Sequence, residues 1–148
     1  MPKDAAPREC SVADTLDLVG ERWSLLVIRE LSYGVRRFDQ IVRNTGAPRD
    51  ILTSRLRKLE ANGIVRRERY SDRPARFEYH LTPSGLELCD VLLVLMAWGD
   101  RHLHPDDPPV QWRHSCGETV SPVVVCRHCG DEARAGAHSP TGRGALTS

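Results

Sequence analysis

Residues 36–76 read RRFDQIVRNTGAPRDILTSRLRKLEANGIVRRERYSDRPAR. This stretch holds twelve Arg or Lys against five Asp or Glu, a balance of +7 in a chain of 148 residues whose total is +1. The other 107 residues therefore sum to −6. A positive field concentrated on one segment is what a phosphate backbone attracts. Within the stretch, Phe38, Ile41 and Val42 mark a short helix that Asn44, Thr45 and Gly46 end. Pro48, a good first-turn residue, opens a second helix that runs to Ala61, where Asn62 and Gly63 stop it. Residues 64–70 and 76–81 are short strand candidates joined by the loop from Ser71 to Arg76. The second strand alternates Phe77, Tyr79 and Leu81 with Arg76, Glu78 and His80. Helix, tight turn, helix and an Arg-tipped hairpin outline a winged DNA-binding unit.

Along the helix that Pro48 opens, Leu52, Leu56 and Leu59 fall within about 60° of one another at about 100° per residue. The opposite side carries Asp50, Ser54 and Arg57, flanked by Thr53 and Lys58, so one side suits a core and the other a polar groove; the candidate DNA contacts are Arg49, Asp50, Thr53, Ser54 and Arg57. The second helix of such a unit enters the major groove with its N-terminal side chains toward the base edges. Arg can bond both guanine acceptors, and Thr and Ser suit phosphates or bases. Asp50 accepts from cytosine N4 or simply favours the helix N-terminus. Arg73 and Arg76 at the hairpin tip reach toward the neighbouring minor groove, and Arg36, Arg37 and Arg43 clamp backbone on the other flank. Any one of these arginines alone reads as an ordinary solvated charge; several on one segment read as a nucleic-acid face.

Outside this unit the chain is mainly helical. Residues 1–9 form a loose arm. Val12, Leu16 and Val19 mark a first helix capped by Ser11, and a second runs from about Arg22 to Tyr33. Thr82 followed by Pro83 opens a long helix to about Leu103. Its middle, residues 91–98, is apolar around the whole circumference and needs two surfaces to bury against. One is its own domain. The economical second is another copy of the chain, with Leu16, Leu92, Leu95, Met96 and Trp98 at the interface; the alternative is that the C-terminal segment folds back. A dimer places two groove-binding helices about one DNA turn apart, so its operator is an inverted repeat.

The run from Cys10 to Trp23, then Leu25 to Leu31 and Arg37-Phe38, resembles the HxlR family of bacterial transcription regulators, relatives of the MarR group. Leu52 to Leu59, Gly63 to Arg66, Tyr79 to Gly85 and Ala97 to Gly99 continue the resemblance in order, over about residues 10–102. It implies a mainly α fold with a small β-hairpin wing, a homodimer joined through its terminal helices, and a cytoplasmic regulator of nearby promoters. Some members carry a cysteine before the first helix that senses oxidants, quinones or aldehydes, and Cys10 occupies that place. Arg8 and the helix N-terminus favour its thiolate, while Glu9 opposes it. A thiol that merely packs at the dimer interface is the plainer reading.

The domain at residues 10–104 is followed by a stiff acidic linker, 105–111. Residues 112–132 then hold His114-Ser115-Cys116-Gly117 and Cys126-Arg127-His128-Cys129-Gly130. His114, Cys116, Cys126 and Cys129 make a tetrahedral structural zinc set, with His128 or His104 as substitutes for His114. A redox dithiol at Cys126 and Cys129, hence a thiol oxidoreductase, is the competing reading, and a protein-interaction module is a third. Residues 133–148 read as a disordered tail. The longest apolar run is eight residues, too short for a bilayer, and no signal peptide is visible. No nucleophile–base arrangement or phosphate loop suggests an enzyme. An oxidant or small-molecule effector stays open.

Overall fold

The computed structural model describes residues 7–145. Five helices and one hairpin follow in chain order, α1 Ser11–Val19, α2 Arg22–Ser32, α3 Phe38–Thr45, α4 Arg49–Ala61, β1 Val65–Asp72, β2 Ala75–Leu81 and α5 Pro83–His102. Residues 1–6 and 146–148, parts of the expected arm and tail, lie outside the described residues.

Burial follows the helical period. Val27, Ile28 and Leu31 of α2 are buried against Ile41 of α3 and Leu52, Leu56 and Leu59 of α4, with Val19, Ile64 and Val65 closing the core. The three leucines sharing one side of α4 are thus its inward side, and the basic side is left to solvent. Gly46 ends α3 with φ of 71°, a left-handed value that glycine adopts without penalty, and so sets the turn into α4. Several ends differ from the expectation. Cys10, not Ser11, is the N-cap of α1, and Pro48 is the N-cap of α4 rather than its first residue. The strands extend to Asp72 and from Ala75, so only Arg73 and Pro74 turn the wing, where a six-residue loop was expected. Pairing across the hairpin stabilises the last residues of each strand, which propensity alone does not reveal.

Glu21 and Thr82 organise two junctions. Glu21 Oε2 accepts from Trp23 N at 3.2 Å and Ser24 N at 3.3 Å, capping α2, while Arg55 Nε of α4 stands 3.2 Å from the same oxygen. Thr82 Oγ1 accepts from Gly85 N at 3.2 Å and donates to the main chain at Gly63 and Ile64, pinning α5 to the start of the wing.

Long α5 presents three sides. Leu88, Cys89 and Leu92 pack against the core. Val91, Val94, Leu95 and Trp98 stay exposed, together with Val12 and Leu16 of α1. The segment after His104 does fold back, but over a third side, where Trp112 meets Tyr33 of α2 with ring centroids 5.4 Å apart. Trp98 and Leu16 of the expected dimer surface are therefore open, Leu95 is exposed at the edge of the space beneath the folded-back segment, and Leu92, packed on the core, lines that space together with Met96. Among the described residues no helix is long and apolar enough to cross a membrane.

Candidate nucleic-acid interface

The polar side of α4 carries exposed Arg49, Asp50, Ser54 and Arg57, with Thr53 half-buried between them. Thr53 Oγ1 donates to Arg49 O at 2.8 Å, a bond back to the preceding turn. Arg49 is held in place by two neighbours on α3. Its Nη1 stands 2.8 Å from Asp39 Oδ1, and its guanidinium lies 4.9 Å from the centre of the Phe38 ring. The start of α4 is thereby fixed to the helix before it.

The wing meets α3 in a basic cleft of about 460 Å³, lined by Arg37, Asp39, Gln40, Arg43, Tyr70 and Arg76, among others. Arg37 pairs with Glu78 of β2 in an isolated bridge, its Nε 3.6 Å from Glu78 Oε1, and its guanidinium stacks 4.7 Å from the Tyr70 ring centre. Arg67 and Arg69 flank Phe77 at 4.6 and 5.4 Å. Arg73 sits at the exposed hairpin turn. Among the described residues, Arg43, Arg57, Arg73 and Arg76 enter no ion pair, so their charge is available to a phosphate.

Other basic residues of the 36–76 segment serve the fold. Arg36 Nη1 donates to Leu31 O at 2.5 Å, adding to the bond that this carbonyl at the end of α2 already accepts from Gly34 N at 3.1 Å. That bond turns Arg36 inward, away from the clamp expected of it. Arg55 is spent on Glu21, Arg67 on Glu60 at 3.1 Å, and Lys58 Nζ on the Asp17 carbonyl of α1. Glu78 and His80, the polar positions in the alternation of β2, are half-buried, and Arg37 packs over Glu78. Burial pushes the Tyr79 hydroxyl above its ordinary value, opposed chiefly by the charge of Arg67. Tyr70 and Gln40 in the cleft escaped the sequence reading. An aromatic one residue from the hairpin loop, beside three arginines, was the available signal.

These parts coincide with a family. The model for the HxlR-like helix-turn-helix matches residues 18–107. The chain belongs to that family. The HTH-type transcriptional regulator Rv3095 of Mycobacterium tuberculosis, itself uncharacterised, is 50% identical over 127 residues, 84% of this chain and 80% of the relative. The crystal structure of PA1607 superposes with a TM-score of 0.79 at 28% identity, covering 90% of this chain and 94% of that one. The redox regulator HypR in its reduced form does so with a TM-score of 0.59 at 34% identity, over 66% of this chain and all of that one. This HxlR-family chain is a transcriptional regulator with a winged helix-turn-helix. Such regulators are not enzymes, and the thiol oxidoreductase reading of Cys126 and Cys129 falls away.

Its tail is built from two small hairpins. In the first, Val120 N donates to Trp112 O at 2.7 Å and His114 N to Glu118 O at 2.8 Å, with Gly117 at φ 96° in the turn. In the second, Ala133 N donates to Val124 O at 2.8 Å and Cys126 N to Asp131 O at 2.8 Å, with Gly130 at φ 79°. The backbone N–H of Cys129, then that of His128, point at Cys126 Sγ and hold its thiol below the ordinary value. Each turn therefore carries one half of the expected ligand set. Among the described residues no three His, Cys, Asp or Glu side chains gather around one point, so the halves stand apart.

Proposed function

We propose that this regulator acts in the cytoplasm as a homodimer that seats α4 in the major groove of each half of an inverted-repeat operator, with the wing against the flanking backbone. The observation that carries this is the division of labour among the basic residues. Arg57 on the open side of α4, with Arg43, Arg73 and Arg76 beside and on the wing, enter no ion pair among the described residues; Arg49 pairs only with its exposed neighbour Asp39, while Arg36, Arg55 and Arg67 are tied to a carbonyl and to carboxylates within the fold. Arg49, Asp50, Thr53, Ser54 and Arg57 meet base edges or adjacent phosphates, and Arg37, Arg43, Arg73 and Arg76 grip the backbone. The exposed Val91, Val94, Leu95 and Trp98 of α5, with Val12 and Leu16, supply the self-association surface. A fluorescence-anisotropy titration with the upstream DNA of its own gene tests the reading. Binding at nanomolar concentration that weakens steeply with salt supports it, and affinity indifferent to sequence and salt rejects it.

Two finer parts rest on single features. Cys10 is exposed at the N-cap of α1, in a fold shared with a redox regulator, and is the candidate oxidant sensor. Cys10→Ala should then abolish oxidant-driven release of DNA; unchanged release removes the idea. The hairpins 112–120 and 124–133 would bring His114, Cys116, Cys126 and Cys129 onto one structural zinc ion, which supplies a cross-link between the two turns and no open position for chemistry.

A further inference from the structure

Where the tail folds back, it roofs a cavity of about 600 Å³ between α2 and α5. Leu25, Arg29 and Tyr33 form one wall, Leu93 and Met96 the other, and Trp112 the roof. The volume lies in the range that holds drug-sized ligands, roughly 300–1,000 Å³, and the lining is mostly apolar. We infer that this cavity is an effector site for a small, uncharged aromatic molecule carrying one hydrogen-bond donor.

The charges select that class. Arg29 is already committed, with Nε 3.0 Å and Nη2 2.7 Å from Glu30 Oε1. Asp100 also lines the cavity and has no ion-pair partner among the described residues. An anionic ligand would thus meet an uncompensated carboxylate and no free guanidinium, with the His104 imidazole the one basic group in the lining besides Arg29, whereas a phenol or aryl amine can donate to Asp100. Tyr33 and Trp112, stacked at a tilt of 41°, offer ring surface at one end.

Geometry separates this occupant from a second copy of the chain. At about 100° per residue, Cys89, Leu93, Met96 and Asp100 cluster on a side of α5 about 180° from the one carrying Val91, Val94 and Trp98. The exposed stripe, centred on Val91, Val94 and Trp98, meets a partner; the cavity lies behind it, covered on one side by the chain's own tail and open at its rim, with Leu95 at the edge between the two.

N-phenyl-1-naphthylamine, neutral with one N–H, is the probe. Titrated into the full-length protein, it should show a saturable fluorescence rise with one probe bound per chain. Leu93→Trp, which fills the cavity, should weaken binding by about tenfold or more. Trp98→Glu, on the far side, should leave it unchanged. The anionic 1-anilinonaphthalene-8-sulfonate should bind about tenfold more weakly than the neutral probe, and Asp100→Asn should narrow that gap. Thermal melts verify that Leu93→Trp folds; should it not, Trp112→Ala, which opens the roof, takes its place with the same expected loss. Non-saturable uptake, parental affinity in the cavity variants, or loss of binding in Trp98→Glu would overturn the proposal. No DNA enters this readout, so its outcome is independent of the operator reading.

Discussion

Asn44 Nδ2 of α3 donates to Glu30 Oε2 of α2 at 2.8 Å, and Glu30 is only 3% exposed. Its other oxygen takes both bonds from Arg29, so a buried carboxylate ties the first helix of the DNA-binding unit to the domain's central helix. Removing one partner leaves part of a buried charge unsatisfied. Asn44→Ala should lower stability by about 1.5–3 kcal/mol, seen as a smaller urea midpoint with an unchanged slope.

The open arginines should divide by contact type. Arg57→Ala, on the groove side of α4, should cost about 1–3 kcal/mol of operator affinity and relax sequence preference. Arg76→Ala, in the cleft between wing and α3, should weaken all duplexes alike and reduce the salt slope by about one. Arg55→Ala is the contrast, because its partner is Glu21. It should lower the melting temperature and leave affinity per folded molecule intact. Anisotropy titrations across a salt series distinguish the three.

Trp98 is 51% exposed and Leu16 55%, sizeable apolar side chains that their own chain covers only in part. Trp98→Glu places a charge where the second copy should pack. Sedimentation velocity should show a monomer, and affinity for an inverted repeat should fall to that of a half-site.

Purified protein should carry one zinc per chain by elemental analysis, lost in the double variant Cys126→Ser, Cys129→Ser. Chelation should melt the tail hairpins and leave the far-UV helix signal nearly unchanged, because the helices have their own core. A metal-free protein with the same tail protection from exchange would reject the site.

Burial, then the neighbouring Asp90, pushes the Cys89 thiol above its ordinary value. A raised pKa means less thiolate at neutral pH, so Cys89 should be the slowest cysteine toward a maleimide. Its rate should climb as pH rises past neutrality. Peptide mapping of timed labelling reads this out; filling the cavity with N-phenyl-1-naphthylamine should slow it further.

Much of the fold was legible because its signals are short-range. Leu52, Leu56 and Leu59 announce the inward side of α4 through the helical period alone, and Thr82-Pro83 and Gly46 punctuate within a few residues. The polar side of α4 follows by subtraction. Which arginines remain free did not follow. Arg36 and Arg55 look like Arg57 in the sequence, and only partners brought close by folding, Leu31 O and Glu21, take them off the surface.

From the amino-acid order alone came the winged outline, the basic segment, the doubly apolar α5 and the cysteine-bearing tail, since each is a local pattern of side-chain chemistry. Tertiary structure alone decided how the three sides of α5 are shared among core, tail and solvent. Lys58 reaching the Asp17 carbonyl, 41 residues away, and Trp112 lying on Tyr33 belong to that same level. Contacts of this range depend on how elements pack in space, and no spacing along the chain encodes them.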